Sequence, residues 1–427
     1  MPRFADAESN AGTDELHKMP VTPFRFLSVH SYCRQVATAA DVLTTPNSVY
    51  RPPPDAPTEF TPPDFFDESD LQHAEALASR QRARDGFNVG LDASQDHFLA
   101  RLDDVTIQRW TIAGTECFRI FIDRGVALSE PFNAHYKADW PRARSFDTVF
   151  IDYKDERVPA PERVPIYLHN AYEPDVTFDE PVVYMLDKGA SNYYHWICEV
   201  FPRLWARFEA PDLGRFPMLV NERNLTPFQN ETLVTALGSA QLVAFPWNCA
   251  RFARLYLSSF LTSGESAPRI RDWNTRFFGR NGLRPGERPH RRLYVSRLDA
   301  TRRRVTNEEE TWAALSRLGF ERVIPGQLPV ADQMNLFACA EAVVLPNGAA
   351  AANLAVTPPG ALVVEFQPIV LLNPGVWTLA RALGHSFGLV TTPDTRGYDP
   401  DYFVDMTIDT AKLTRVVEAG LAGRTAL

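Results

Sequence analysis

From residue 182 onward, short apolar runs alternate with stretches of helical periodicity, a rhythm that predicts an open α/β arrangement. Residues 182–186 read as a strand, followed by the loop 187–192. A helix is expected through 194–207, capped by Ser191 or Asn192 and kinked or divided at Pro202. Met218–Val220, 228–237 and 241–245 then give strand, helix and strand. A second series is cleaner, with strands at 293–295, 320–324, 342–345 and 362–366 and helices at 308–318 and 330–339. Thr306 or Asn307 can cap the 308–318 helix, and acidic residues fill its opening turn.

Upstream the pattern weakens. The first fifty residues lack sustained periodicity, and the proline clusters within 51–57 and 61–64 predict an extended connector. Strand-like pieces at 147–152 and 165–168, separated by turn residues, suggest an irregular mixed sheet. Residues 262–290, rich in Gly, Pro and Arg, read as an interdomain link. The expected fold class is therefore α/β, with two Rossmann-like domains facing across a cleft and an irregular N-terminal extension. The expected boundaries are 1–110 for the extension, 111–265 for the first α/β domain, 266–290 for the linker and 291–427 for the second domain.

The length of 427 residues exceeds one ordinary hydrophobic core and agrees with two domains. A net charge of -9 argues against a general nucleic-acid binder while leaving room for a local basic pocket. Cysteines at 33, 117, 198, 249 and 339 show no CxxC spacing, so neither a zinc knuckle nor a disulfide scaffold is expected. The first residues lack the apolar core of a secretory signal, and no long apolar run follows. The expected location is cytoplasmic, with peripheral association at the inner membrane left open and the oligomeric state undetermined.

Two loops carry the candidate chemistry. The first, after the 293–295 strand, holds Ser296, Arg297, Arg302, Arg303 and Arg304. An arginine fork there can bind a diphosphate bidentately and offset charge developing on a leaving group. The competing reading is an ion pair from Arg297 to Asp299 or to an acidic surface, and at least one of the three consecutive arginines is expected on the surface. The second loop, 346–353, follows an apolar strand. Gly348, Ala349 and the next alanines are small enough for backbone amides to approach a phosphate or sugar, while Asn347 and Asn353 add short polar reach. Close packing against the sheet would explain the same small residues. Glu365, near the end of the last strand, can accept from ribose or sugar hydroxyls or close an internal ion pair. Neither GxGxxG nor GxxxxGK[ST] occurs, which lowers a dinucleotide enzyme and an ATPase.

On the expected 194–207 helix, His195 and Glu199 are four residues apart and share a face, with Arg203 four further on. Either can take a proton from an acceptor hydroxyl. Against this, Tyr193, Tyr194, Trp196, Phe201 and Trp205 suggest an aromatic core seam in which His195 is a satisfied hydrogen-bonding group. Asp187, at the preceding strand end, is a third candidate base. There is no HExxH or compact acidic cluster, and Asp152, Asp155 and Glu156 look like an ordinary turn, so no metal cofactor is expected.

Together these pieces resemble the family 61 glycosyltransferases, in a bacterial-type form. The resemblance is carried by Asn192-Tyr-Tyr-His-Trp-Ile-Cys-Glu-Val-Phe-Pro-Arg-Leu204, Tyr294-Val-Ser-Arg297, Arg304-Val-Thr-Asn-Glu-Glu309, Gly319-Phe320, Pro346-Asn-Gly-Ala349, Asn353-Leu354 and Pro358-Pro-Gly360 through Glu365. It implies a GT-B architecture, with the first domain on the acceptor side and the second binding a nucleotide-sugar, a UDP-sugar by preference. It also implies an inverting transfer to a hydroxyl of a glycan or related acceptor, as in surface polysaccharide synthesis. His195 and Glu199 would line the acceptor side, Arg297 would contact the diphosphate, and the 347–353 loop and Glu365 would lie beside the donor. Asn347 stands where the family usually has histidine, which removes an imidazolium charge and a proton shuttle. Ala351 and Ala352 replace the glycine or leucine more common there. A transferase with a small-molecule acceptor and a noncatalytic nucleotide-sugar or glycan-binding module are the alternatives.

Overall fold

The computed structural model describes residues 21–28, 33, 36–51, 63–76, 97–112, 115–122, 126–129, 144–145, 149–151, 166–169, 174–187, 189–221, 225–238, 241–259, 267–279, 289–369, 372–393 and 404–425. The N-terminal twenty residues, most of the proline-rich connector, Asp152, Asp155, Glu156 and residues 280–288 lie outside the described residues. The chain divides into two compact units, one of residues 1–50, 98–184 and 245–257, the other of 51–97, 185–244 and 258–427. This partition cuts the chain more finely than the expected boundaries, because each unit gathers separate stretches of sequence.

The first unit is a mixed sheet. Leu99–Ile112 pairs antiparallel with Thr115–Ile122, which pairs antiparallel with Val126–Ser129. Val21–Ser28 runs parallel to that last strand and antiparallel to Ile166–His169, followed by Val149–Ile151 and Arg144–Ser145. Val182–Tyr184 and Val176–Phe178 lie parallel to Cys249–Ser258. The strands expected at 147–152 and 165–168 thus appear as Val149–Ile151 and Ile166–His169, paired antiparallel. Elsewhere in this unit the described interior is apolar and aromatic, with Val105 opposite Ile122, Ile107 opposite Ile120, and Phe178 stacked on Phe252 at 4.9 Å between centroids.

The second unit holds a six-stranded parallel sheet in the order Glu321–Val323, Arg291–Val295, Ala340–Pro346, Leu362–Pro368, Ser386–Thr392, Phe65–Phe66. Ala340–Pro346 and Leu362–Pro368 are almost wholly buried, as parallel strands covered on both sides must be. Glu308–Arg317 and Thr410–Thr425 cover one face of the sheet, where Leu315, Leu413, Val416 and Val417 join Tyr294, Val344, Val364 and Phe366 in one core. Taken in chain order, the five long-range core strands are arranged 2-1-3-4-5, so the direction of winding reverses between Arg291–Val295 and Ala340–Pro346. The carboxyl ends of the strands at such a reversal are where open α/β sheets place ligands.

Sequence periodicity did not reach the edge strand Phe65–Phe66, which is pinned to this sheet by three aspartates. Asp64 pairs with Arg381 at 2.8 Å, Asp67 with Arg415 at 2.6 Å, and buried Asp70 with Lys412 at 2.7 Å. Arg415 beside Asp67 pulls that carboxyl down to about 2. The stretch expected as a linker, 266–290, is helical over part of its length. Ala267–Gly279 is a helix whose Ile270, Trp273, Phe277 and Phe278 are buried, an apolar stripe that the surrounding Gly, Pro and Arg obscured.

Residues 185–244 complete this unit. Met218–Val220 runs parallel to Leu242–Ala244, and Pro227–Leu237 is a helix closed by a reciprocal Thr226–Gln229 capping box with Pro227 in its first turn. From that helix the Glu231 carboxylate accepts from the Val330 and Ala331 amides, at 2.8 and 2.9 Å, and so caps Val330–Ala338.

Candidate functional site

The expected helix at 194–207 is broken. Asn192 caps its first turn by accepting from the Tyr194 and His195 amides, the chain widens into a π-turn over Trp196–Val200, tightens over Phe201–Trp205 around Pro202, and ends in Ala206–Glu209. Proline removes an amide donor, so the regular ladder cannot pass through it. Trp196, Phe201 and Trp205 are fully buried, and Trp196 Nε1 donates to Thr232 Oγ1 at 2.8 Å. The aromatic seam is real, and His195 lies at its edge, its ring T-shaped against Tyr194 at 6.0 Å between centroids. The His195 side chain keeps 39% exposure and Glu199 keeps 19%, and Nδ1 lies 2.7 Å from Glu199 Oε2. That bond fixes the ring and turns Nε2 to the opposite edge, the arrangement of a carboxylate-oriented base. Gly189 makes room for it: a Cβ there would stand 2.8 Å from His195 Cγ.

Asp187 sits differently. Its carboxylate is taken by buried Arg203 and by the Gly189 amide at 2.8 Å, while Asn221 bonds both its backbone N–H and its carbonyl. Arg203 also donates to the Leu186 and Glu199 carbonyls. Asp187 and Arg203 form a buried ion pair that sets the turn beneath His195, which is a positioning arrangement and not that of a base facing an acceptor.

At the winding reversal, Ser296 is buried, and its Oγ accepts from the Leu298 amide at 3.3 Å. Arg297 lies across Gly348, where a Cβ would collide with Nη1, and donates through Nη2 to the Arg302 carbonyl at 2.9 Å. Its Nε is buried without a partner. Burial, and next the nearby Arg303 charge, push the Arg297 guanidinium down to about 10, against the pull of Asp299 and Asp405. Among the three consecutive arginines, Arg304 pairs outward with Asp405 at 3.0 Å and is 61% exposed. The arginine that turns inward is Arg303, which donates to Asn347 Oδ1 at 2.6 Å and likewise leaves a buried Nε unpartnered. The structure thus places Arg304 away from the 346–353 loop and Arg303 at it. Sequence could not separate three adjacent arginines. The turn that selects the middle one is a left-handed backbone at Arg303, with φ of 54°.

Asn347 continues the chain of bonds, donating through Nδ2 to Glu365 Oε1 at 2.8 Å. Gln367 Nε2 approaches the other Glu365 oxygen at 3.4 Å, and its Oε1 accepts from the Asn373 amide at 2.8 Å. Asn373 Oδ1 accepts from Gly375, whose carbonyl is reached by the Tyr194 hydroxyl at 3.4 Å. A hydrogen-bonded path therefore joins the helix of His195 to the arginines. Glu365 has no exposed surface and sits under the loop, bonded to Asn347. Burial pushes its carboxyl up to about 8. Gln367 and Asn373 were not read from the sequence, where isolated amides carry no periodic signal.

Gly348 and Ala349 lead into a tight Ala349–Val356 turn of helix, with Ala351 and Ala352 wholly buried against the sheet. Asn353 is buried too. Its Oδ1 accepts from the Tyr193 hydroxyl at 2.7 Å and its Nδ2 donates to Gln333 Oε1 at 3.1 Å, so it clamps the His195 segment to the loop. Among the described residues no group of three or more His, Cys, Asp or Glu is placed to hold a metal, and no helix is long and apolar enough to cross a membrane.

Inward guanidiniums at the carboxyl ends of parallel strands, linked to a histidine–carboxylate pair, define a site suited to group transfer from a phosphorylated donor. Residues 193–364 match the model of the family described as Glycosyltransferase 61. The chain thus carries a glycosyltransferase-family domain that includes His195, Glu199, Arg297, Arg303 and Asn347. No curated protein matches. Among solved structures, the chain is similar to the dodecameric iron-containing heptosyltransferase TibC, solved in complex with ADP-D-β-D-heptose. Identity is 12%, the match covers 87% of this chain and 100% of that one, and the TM-score is 0.31.

Proposed function

We propose that this protein is an inverting glycosyltransferase that moves a sugar from a nucleoside diphosphate-sugar, a UDP-sugar by preference, to a hydroxyl of a glycan or related acceptor. The observation that carries the reading is Arg297, laid over Gly348 at the winding reversal with a buried, unpartnered Nε, inside the segment that matches Glycosyltransferase 61. A buried guanidinium without its full set of acceptors suits an anionic ligand.

In the proposed reaction His195 Nε2 takes the proton of the acceptor hydroxyl while Glu199 holds Nδ1 and offsets the charge gained by the ring. The acceptor oxygen attacks the anomeric carbon, the bond from that carbon to the diphosphate oxygen breaks, and Arg297 takes up the charge on the departing nucleoside diphosphate. A single displacement inverts the anomeric centre. The six-stranded sheet serves the donor and the His195 segment the acceptor, within a GT-B plan. The proposed acceptor is a surface-polysaccharide intermediate, met in the cytoplasm or at the inner-membrane face, a reading the family resemblance supports.

The test is thermal stabilisation of the purified protein by UDP-, GDP-, ADP- and dTDP-sugars, followed by nucleoside diphosphate release with candidate acceptors. A ligand at a hundred times its Kd stabilises by about 2.7 kcal/mol. Stabilisation that Arg297→Ala abolishes, with acceptor-dependent release, is the expected result. Binding without release across acceptors would support a noncatalytic module instead, and no response to any donor would remove the reading.

A further inference from the structure

We propose that Arg303 is a second diphosphate-binding guanidinium beside Arg297, and that Glu365 is the positioning residue that aims it through the side-chain amide of Asn347. The ligand class rests on the glycosyltransferase reading above; the relay itself is drawn from the geometry of the loop.

Three independent features point to Arg303. Its backbone occupies the left-handed region, with φ of 54°, which an arginine adopts only when its surroundings hold it there. The next residue is fixed outward, since Asp405 accepts from both the backbone amide and the guanidinium of Arg304, so the kink sends the Arg303 side chain the other way. Finally, Arg303 and Arg297 each present a buried Nε without a partner, beside one another and mutually repulsive. Two like charges brought together with unsatisfied donors await an anion that both can share, and a diphosphate offers oxygens to each fork.

The relay has a defined direction. Arg303 Nη1 donates to Asn347 Oδ1, which leaves the Asn347 amide nitrogen to donate to Glu365 at 2.8 Å. The other Glu365 oxygen faces Gln367. Its register partners on the flanking strands, Leu345 and Leu389, are uncharged, and on the helix that follows Arg381 is held by Asp64. The charge that acts on Glu365 is that of Arg303, while Arg297 is also felt by Asp299 and Asp405. Glu365 does not reach the ligand. Its protonated form leaves the full charge of Arg303 to the anion, and its ionised form competes with the anion for that charge. Burial pushes its carboxyl up to about 8, so the exchange falls in an accessible range of pH.

The probe is inorganic pyrophosphate, which needs no nucleoside pocket, titrated calorimetrically into the full chain between pH 6.5 and 9.5. Arg303→Ala is expected to weaken binding at least about tenfold, with Arg303→Lys recovering part of the loss. Glu365→Gln keeps an acceptor for Asn347 and is expected to bind like the parent near pH 7. Taking the ratio of the two affinities at each pH cancels the ionisation of pyrophosphate. Above about 8 the parent should fall behind Glu365→Gln, by up to about tenfold per pH unit. Arg303→Ala binding as tightly as the parent, a flat ratio across the range, or no pyrophosphate binding by the parent would each overturn the proposal. Pyrophosphate binding that behaves as expected without turnover of any nucleotide-sugar would instead count against the transferase reading alone.

Discussion

Gly348 has no side chain because Arg297 occupies the place that one would take: a Cβ built there collides with Nη1 of the guanidinium. The Gly348 backbone is extended, with φ of 177°, so alanine costs nothing in backbone strain and its effect falls on the arginine. Gly348→Ala is expected to leave the fold intact and to weaken nucleotide-sugar binding about tenfold to a hundredfold, corresponding to about 1.4 to 2.7 kcal/mol. Calorimetric titration beside a thermal melt checks both halves. A folded variant with parental affinity would show that Arg297 does not bind the donor.

Gly189 stands in the same relation to His195, since its Cβ would meet the imidazole at 2.8 to 3.0 Å. Gly189→Ala therefore displaces the ring from Glu199 without touching the arginines. The expected outcome is a fall of about a hundredfold in kcat with donor affinity held within about threefold, because a displacement of about 1 Å is enough to spoil proton transfer. Equal losses in binding and turnover would place His195 in the donor site, and unchanged turnover would remove it from the chemistry.

Much of the six-stranded sheet and its helices was legible because the signals there are periodic. The expected strand at 362–366 appears as Leu362–Pro368, the 308–318 helix as Glu308–Arg317, and the 330–339 helix as Val330–Ala338. Asn192 as a cap and Pro202 as a break were readable from local chemistry. The roles of individual side chains were not, because they depend on partners distant in sequence. Arg303 meets Asn347 forty-four positions away, and Asn353 meets Tyr193 one hundred and sixty away. Asp187 resembled a base at a strand end, and only the fold brings Arg203 onto it.

Asp187 and Glu199 separate by experiment for the same reason. Asp187 holds a buried guanidinium, and withdrawing one partner of such a pair costs about 3 to 5 kcal/mol. Asp187→Ala is expected to lower the urea midpoint substantially, with its loss of activity following loss of folded protein. Glu199 is more exposed and bonds His195, so Glu199→Gln should fold normally and reduce kcat by about tenfold to a hundredfold through a poorly oriented imidazole. Urea unfolding and steady-state rates on both variants decide the matter. A stable Asp187→Ala with a selective loss of kcat would return Asp187 to the catalytic group.

Glu365 should also leave its mark on stability. Burial raises its carboxyl from 4.5 in the ordinary state to about 8 in the fold, despite the Asn347 hydrogen bond and the charge of Arg303. Between those values the folded chain binds the proton and the unfolded chain releases it. The contribution of Glu365 is therefore most favourable below about 4.5 and is lost as pH rises towards 8. At about 1.4 kcal/mol per unit, the loss by pH 7 is on the order of 3 kcal/mol. Glu365→Gln does not titrate, so its stability relative to the parent should rise steadily from pH 5 to 8 and level off above that. Urea unfolding of both proteins at each pH measures the difference directly, and titrations shared by the two proteins cancel. A difference that stays level over this range would mean that Glu365 is already ionised in the fold at pH 5, with its charge balanced by Arg303.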